Sequence, residues 1–161
     1  MGKRKPGGGP RPQPRSSIAI RPIGPDDFEL VHPRCIEDRE LDYEEAIEIL
    51  DAGEPDVARE VLIDALEGCG DNLWIHAALG RIALEGMRNP SLARGHYGYV
   101  LELVERALPP GFRGRLPRSL PANRPLFEAA DGLAASLEAL GAPAEATEVR
   151  AKAARWDGHR G

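Results

Sequence analysis

The pattern that most restricts this chain is a short punctuation that occurs three times: a glycine, then a proline, then an alanine three residues after the proline. Gly53, Pro55 and Ala58 carry it first, Gly86, Pro90 and Ala93 second, and Gly141, Pro143 and Ala146 third. Each set lies between two segments whose apolar residues recur at helical spacing. Glycine just past a helix end takes the left-handed conformation that closes the last turn. Proline at the first position of the next helix lacks an N–H that would be an orphan in any case. Alanine one turn further in is small enough to let two helices approach. Asn89, before Pro90, adds an N-cap. The pattern predicts three helix–turn–helix units and an all-α fold.

The helices fall at about 37–51 and 55–67, 72–85 and 90–107, and 124–140 and 143–156, giving hairpins 37–68, 72–107 and 124–156. Val57, Ala58, Val61, Leu62, Ala65 and Leu66 make one apolar stripe. Trp74, Ala77, Ala78, Leu79, Ile82 and Ala83 face Leu92, Ala93, Tyr97, Val100, Leu101 and Val104 in the second hairpin. In the third, Phe127, Ala130, Leu133, Ala134, Leu137 and Leu140 face Ala146, Val149, Ala153 and Trp156. The stretch 108–123 holds four prolines and two glycines and reads as a loop. A loop of that length is usually functional or mobile. Residues 26–36 read as a linker and 157–161 as a tail.

These hairpins resemble the tetratricopeptide repeat, which sets a small residue, an alanine, an aromatic and a second alanine at fixed offsets. Leu79-Gly80, Ala93 and Tyr97 match in the second hairpin; Ala46, Ala58 and Ala65 match in the first, with Leu62 in place of the aromatic. Ala134, Ala146 and Ala153 match in the third. The turn of the second hairpin is two residues longer than the others, and the loop interrupts the array. The resemblance spans about 37–156. It implies a short right-handed α-solenoid of three pairs with a concave groove, and a scaffold that binds a partner protein or peptide without catalysis. The paired Lys and Asn of the family's peptide clamp have no counterpart, so chaperone-tail binding is not implied.

Charge is unevenly spread. Residues 1–15 carry Lys3, Arg4, Lys5, Arg11 and Arg15 and no acid; residues 26–72 carry 17 acidic and 3 basic side chains, a net −14; residues 73–161 are net +3. The acidic half reads as solvated helix faces, or as a field that steers a basic partner. Residues 1–25 hold six of the 15 prolines and five of the 18 glycines, too little apolar surface to offset ordering, so a disordered arm with polyproline II character is expected. The five cations lack interleaved aromatics. They read as a solubilising tail, with salt-sensitive phosphate contact as the alternative, which would make the chain a nucleic-acid- or ribonucleoprotein-associated accessory protein tethered by this arm.

No continuous apolar stretch follows the first cations, as a secretory signal needs, and no run approaches the ~18–20 apolar residues that span a bilayer. A cytoplasmic protein without membrane contact is expected. Cys35 and Cys69 are 34 residues apart and are expected to be reduced; a bridge between them needs Cα atoms within ~7 Å.

No His-Glu-x-x-His or Cys-x-x-Cys motif is present, and His76 with His96 lacks an evident third ligand, so no metal, cofactor or catalytic residue is assigned. Glu44, Glu45, Glu48 and Asp51 follow helical spacing and read as an exposed face. Gly95 and Gly98 fall inside a helix, where each costs ~1 kcal/mol relative to alanine. Close helix packing is the ordinary reason for such glycines; a surface that lets a partner approach the backbone is the other. Asn123 and Pro125 read as the cap and first turn of the third hairpin. The residues expected to contact a partner are Trp74, His76, Arg94, His96, Tyr99, Arg124 and Phe127.

Overall fold

A computed structural model describes residues 17–158. The arm cations Lys3, Arg4, Lys5, Arg11 and Arg15 lie outside the described residues. Six α-helices follow in order: α1 (Glu40–Asp51), α2 (Pro55–Leu66), α3 (Leu73–Arg81), α4 (Pro90–Ala107), α5 (Arg124–Ala139) and α6 (Pro143–Asp157). A 3-10 turn over Arg34–Arg39 leads into α1, and a π-helical segment, Ile82–Gly86, extends α3. Consecutive helices pair as α1–α2, α3–α4 and α5–α6; α2 touches α3, and both α3 and α4 pack on α5. Two main buried clusters result, with a small third one of Ala134, Leu137 and Ala146 between α5 and α6. One joins α1, α2 and α3 through Ala46, Ala58, Leu62, Ile75 and Leu79; the larger joins α3 to α6 through Tyr97, Val100, Leu126, Phe127 and Trp156.

Punctuation by glycine and proline acts largely as local chemistry requires. Proline opens α2, α4 and α6, and Gly53 and Gly141 have φ of +87° and +78°. Asn89 caps α4 by accepting from the Leu92 N–H at 3.1 Å. Gly86 differs. It is not left-handed; Arg88 takes that role at φ 51°, and a Cβ on Gly86 would sit 2.8 Å from the Pro55 ring. Its glycine is needed where the second hairpin meets the first, not to end a helix.

The fold is not wholly helical. Ala19–Pro22 and Phe28–Val31 form an antiparallel two-stranded sheet, β1–β2, where arm and linker were expected. Four-residue strands are too short to persist alone, and the long segment 108–123 supplies what they lack. Arg115 N–H donates to the Asp26 carbonyl (2.7 Å), and Phe28 N–H to the Arg115 carbonyl (2.8 Å). Phe112 meets Phe28 edge to face at 5.2 Å, and Leu116 N–H donates to the Trp156 carbonyl at 2.6 Å. The segment is therefore tied to both ends of the fold rather than left as a free loop.

Asn123 is the rivet. Its side chain does not cap α5. Fully buried, its Oδ1 accepts from the Leu30 N–H at 2.8 Å and its Nδ2 donates to the carbonyls of Phe28 and Pro117, both at 3.1 Å. Asn123→Ala strands one buried donor and two acceptors. Unfolding in urea should show a loss of about 2–3 kcal/mol, with β1–β2 amides exchanging faster than those of α1 and α2.

The two cysteines are bridged, against expectation. Cys35 lies in the turn before α1 and Cys69 in the turn between α2 and α3, with Cα atoms 5.5 Å apart. The chain folds back through α1 and α2 to bring them together, a distance that spacing alone does not reveal.

Candidate functional site

Three rings meet beside the N-terminal half of α3. Trp74 sits in its first turn, which Asn72 caps by accepting from Ile75 N–H at 3.1 Å. Tyr43 lies in α1, one turn before the buried Ala46, and its ring centroid is 6.4 Å from that of Trp74. His32 follows β2 and lies 6.0 Å from Trp74. Its Nε2 donates to the Ala122 carbonyl at 2.8 Å, just before α5. All three side chains are half-buried. Among the described residues, neither the Trp74 indole N–H nor the Tyr43 hydroxyl finds a hydrogen-bond partner.

This surface is shared by α1, α3 and α5. Burial pushes the Tyr43 phenol up, the Glu128 carboxylate adds to that, and Arg124 and Arg81 oppose it. One α1 hydroxyl thus feels charges from both α3 and α5. Arg81 pairs with Glu85 (3.3 Å) and Arg124 with Glu128 (3.2 Å), all largely exposed, so the charges cost little to redirect toward a ligand. The arrangement offers flat apolar rings, two unspent donors and mobile charges. That chemistry suits contact with a peptide.

A second cluster surrounds the α3 N-terminus. His76 Nε2 donates to the Gly70 carbonyl at 2.8 Å; its ring lies 4.7 Å from Tyr99 and 6.1 Å from His96. Tyr99 donates to Asp71 at 3.1 Å, and Asp71 also accepts from the Ser17 N–H (3.1 Å) and hydroxyl (2.8 Å). With Nε2 donating, the neutral His76 leaves Nδ1 bare and buried. Protonation would place an N–H there without an acceptor.

Burial lowers the pKa of His76, against the Gly70 hydrogen bond and the Asp71 charge. Burial, then His76 and Arg59, lower His96 to about 4. The unfolded chain therefore takes up these protons first. Stability is greatest above the ordinary histidine value of 6.5 and falls as pH drops from there toward 4. After discounting for partial exposure of the ring, His96 should account for a loss of about 1–2 kcal/mol. Urea midpoints at pH 7 and pH 4.5 measure it, and His96→Gln should flatten the difference.

The seven expected contact residues do not form one site. Trp74 and Arg124 belong to the α1–α3–α5 surface. His76, His96 and Tyr99 form the cluster around Asp71, where Tyr99 spends its hydroxyl inside the protein. Arg94 lies on a separate groove of about 620 Å³ between α4, α5 and α6, with Leu133, Leu137, Val149 and Arg155. Phe127 is a core residue, 1% exposed, with the Arg118 guanidinium 4.7 Å above its ring, and is not available for contact. Gly95 and Gly98 do not pack against the described residues, because a Cβ on either meets none of them within 4 Å.

Sequence reasoning missed Tyr43 and His32. Tyr43 had a signal, since it precedes Ala46 by three residues and so flanks the buried face of α1. His32 had none: its position depends on a carbonyl 90 residues away.

The fold and site define a mostly helical protein with a small sheet, and among the described residues no helix is long and apolar enough to cross a membrane. Compared with known protein families, with characterised proteins and with solved structures, the chain matches none.

Proposed function

We propose that the chain is a protein-interaction module, a tetratricopeptide-like solenoid of three hairpins whose first helices line a concave groove. The groove binds an extended segment of a partner protein, and its residues contribute contact rather than catalysis. The observation that carries this reading is the half-buried Tyr43–Trp74 pair, with its indole N–H and hydroxyl unsatisfied among the described residues. Arg81, Arg124 and Glu128 on α3 and α5 extend the same surface. The small residues at matched positions, Ala46, Gly80 and Ala134, are buried on successive first helices, which supports a repeated unit. The Cys35–Cys69 bond supports work in an oxidising compartment, rather than the cytoplasm expected from the lack of a signal-like apolar stretch.

Affinity capture with the whole chain tests the groove. Trp74→Ala should lower recovery of a specific partner about tenfold or more, the usual cost of removing an aromatic anchor. Glu148→Ala, on α6, should leave it unchanged. Equal recovery by wild type and both variants, with unchanged circular dichroism, would reject this surface.

A further inference from the structure

We infer that the aromatic surface has an occupant within the same chain: the segment Pro10-Arg11-Pro12-Gln13-Pro14, seated across His32, Tyr43 and Trp74. The inference rests on reading that surface as a peptide-binding groove, and it names the chemistry of the peptide.

Every residue from 10 to 14 is a proline or precedes one. Proline fixes its own φ, and the residue before it is pushed to extended conformations. A sequence of this kind favours polyproline II, which would keep the ordering entropy lost on docking small. A polyproline II backbone spends none of its carbonyls internally. It needs flat apolar rings for the pyrrolidines and N–H or O–H donors for the carbonyls. Trp74 and Tyr43 present both.

Charge and reach agree. Arg11 and Arg15 bracket the prolines, while α1, which carries Tyr43, holds six carboxylates and no base, and the surface's own Arg81 and Arg124 are already paired with Glu85 and Glu128. Glu40, one turn before Tyr43, is exposed and has no ion pair among the described residues. The arm enters the fold at Ser17, which two hydrogen bonds fix to Asp71, three residues before Trp74. Strand pairing sets Ala19 against Val31, the neighbour of His32, and His32 lies 6.0 Å from Trp74; seven residues from 16 back to 10 could span about 20 Å as polyproline II. Docked, the arm competes with any partner segment that uses the same donors.

The test uses the full chain, oxidised, and reads the two indole N–H signals by ¹⁵N-correlated NMR. Trp74→Phe assigns them. Changing Pro10, Pro12 and Pro14 together to alanine should shift the Trp74 signal and speed its exchange with water. The signal of Trp156, buried in the core, should stay in place. Arg11→Glu with Arg15→Glu should shift the same signal. Unchanged Trp74 signals in both variants would overturn the inference, and so would a shift that depends on protein concentration, which would assign the arm to a second copy. An empty groove that still loses its partner on Trp74→Ala would leave the interaction reading standing while the arm's role falls.

Discussion

Tyr97→Ala should lower the unfolding free energy by about 3–5 kcal/mol, the cost of emptying a buried aromatic site. Tyr97 is only 5% exposed, and its ring is held between two helices. A Cβ on Gly80 of α3 would lie 2.6 Å from the ring, and one on Gly132 of α5 would lie 2.2 Å from it. The two glycines make the slot that lets α4 approach both neighbours at once. Gly132→Ala should therefore destabilise by about 1–3 kcal/mol through overpacking, although alanine is the better helix former. Gly95→Ala and Gly98→Ala should do the opposite, each adding up to about 1 kcal/mol, because none of the described residues occupies the space above them. In a Tyr97→Ala background the Gly132→Ala penalty should vanish, since the atoms it strikes are gone. Denaturant melts of the singles and the double give the coupling directly. A Gly132→Ala protein as stable as wild type would reject the slot.

Breaking the Cys35–Cys69 bond should cost about 3–4 kcal/mol, from the entropy that a loop of this length restores to the unfolded chain. Cys35→Ser with Cys69→Ser removes the bond without reductant. Urea midpoints with and without dithiothreitol should differ for wild type and coincide for the double variant. The loss should concentrate at the first hairpin, because the bond fastens both of its ends: Cys35 before α1 and Cys69 after α2. Identical midpoints for oxidised and reduced wild type would mean the bridge does not hold the native state.

Much of the helical skeleton was readable because its signals are local. The expected start and end of the fourth helix coincide with Pro90–Ala107, and α2, α5 and α6 also start where expected. Proline, glycine and asparagine act there through their own φ, N–H or side-chain oxygen, within one turn of where they stand. Asn123 shows where local chemistry stops deciding. In sequence it has the credentials of a cap, and its side chain is bonded instead to a strand 93 residues away. Ala19–Pro22 looked like the end of a proline-rich arm because its pairing is maintained by segments far along the chain. The site was partly legible for the same reason. Trp74 and Arg124 stand out as single residues, but their relation to Tyr43 and His32 is a property of packing.

Six helix-forming segments, the prolines that open three of them and the left-handed glycines Gly53 and Gly141 follow from the amino acids alone, since each depends on the conformational limits of a few neighbouring residues. Tertiary structure decided which glycines accept a neighbour's ring, which cysteines meet, and which polar side chain clamps the sheet. Those outcomes depend on separations of a few ångströms between residues distant in sequence, which no local preference encodes.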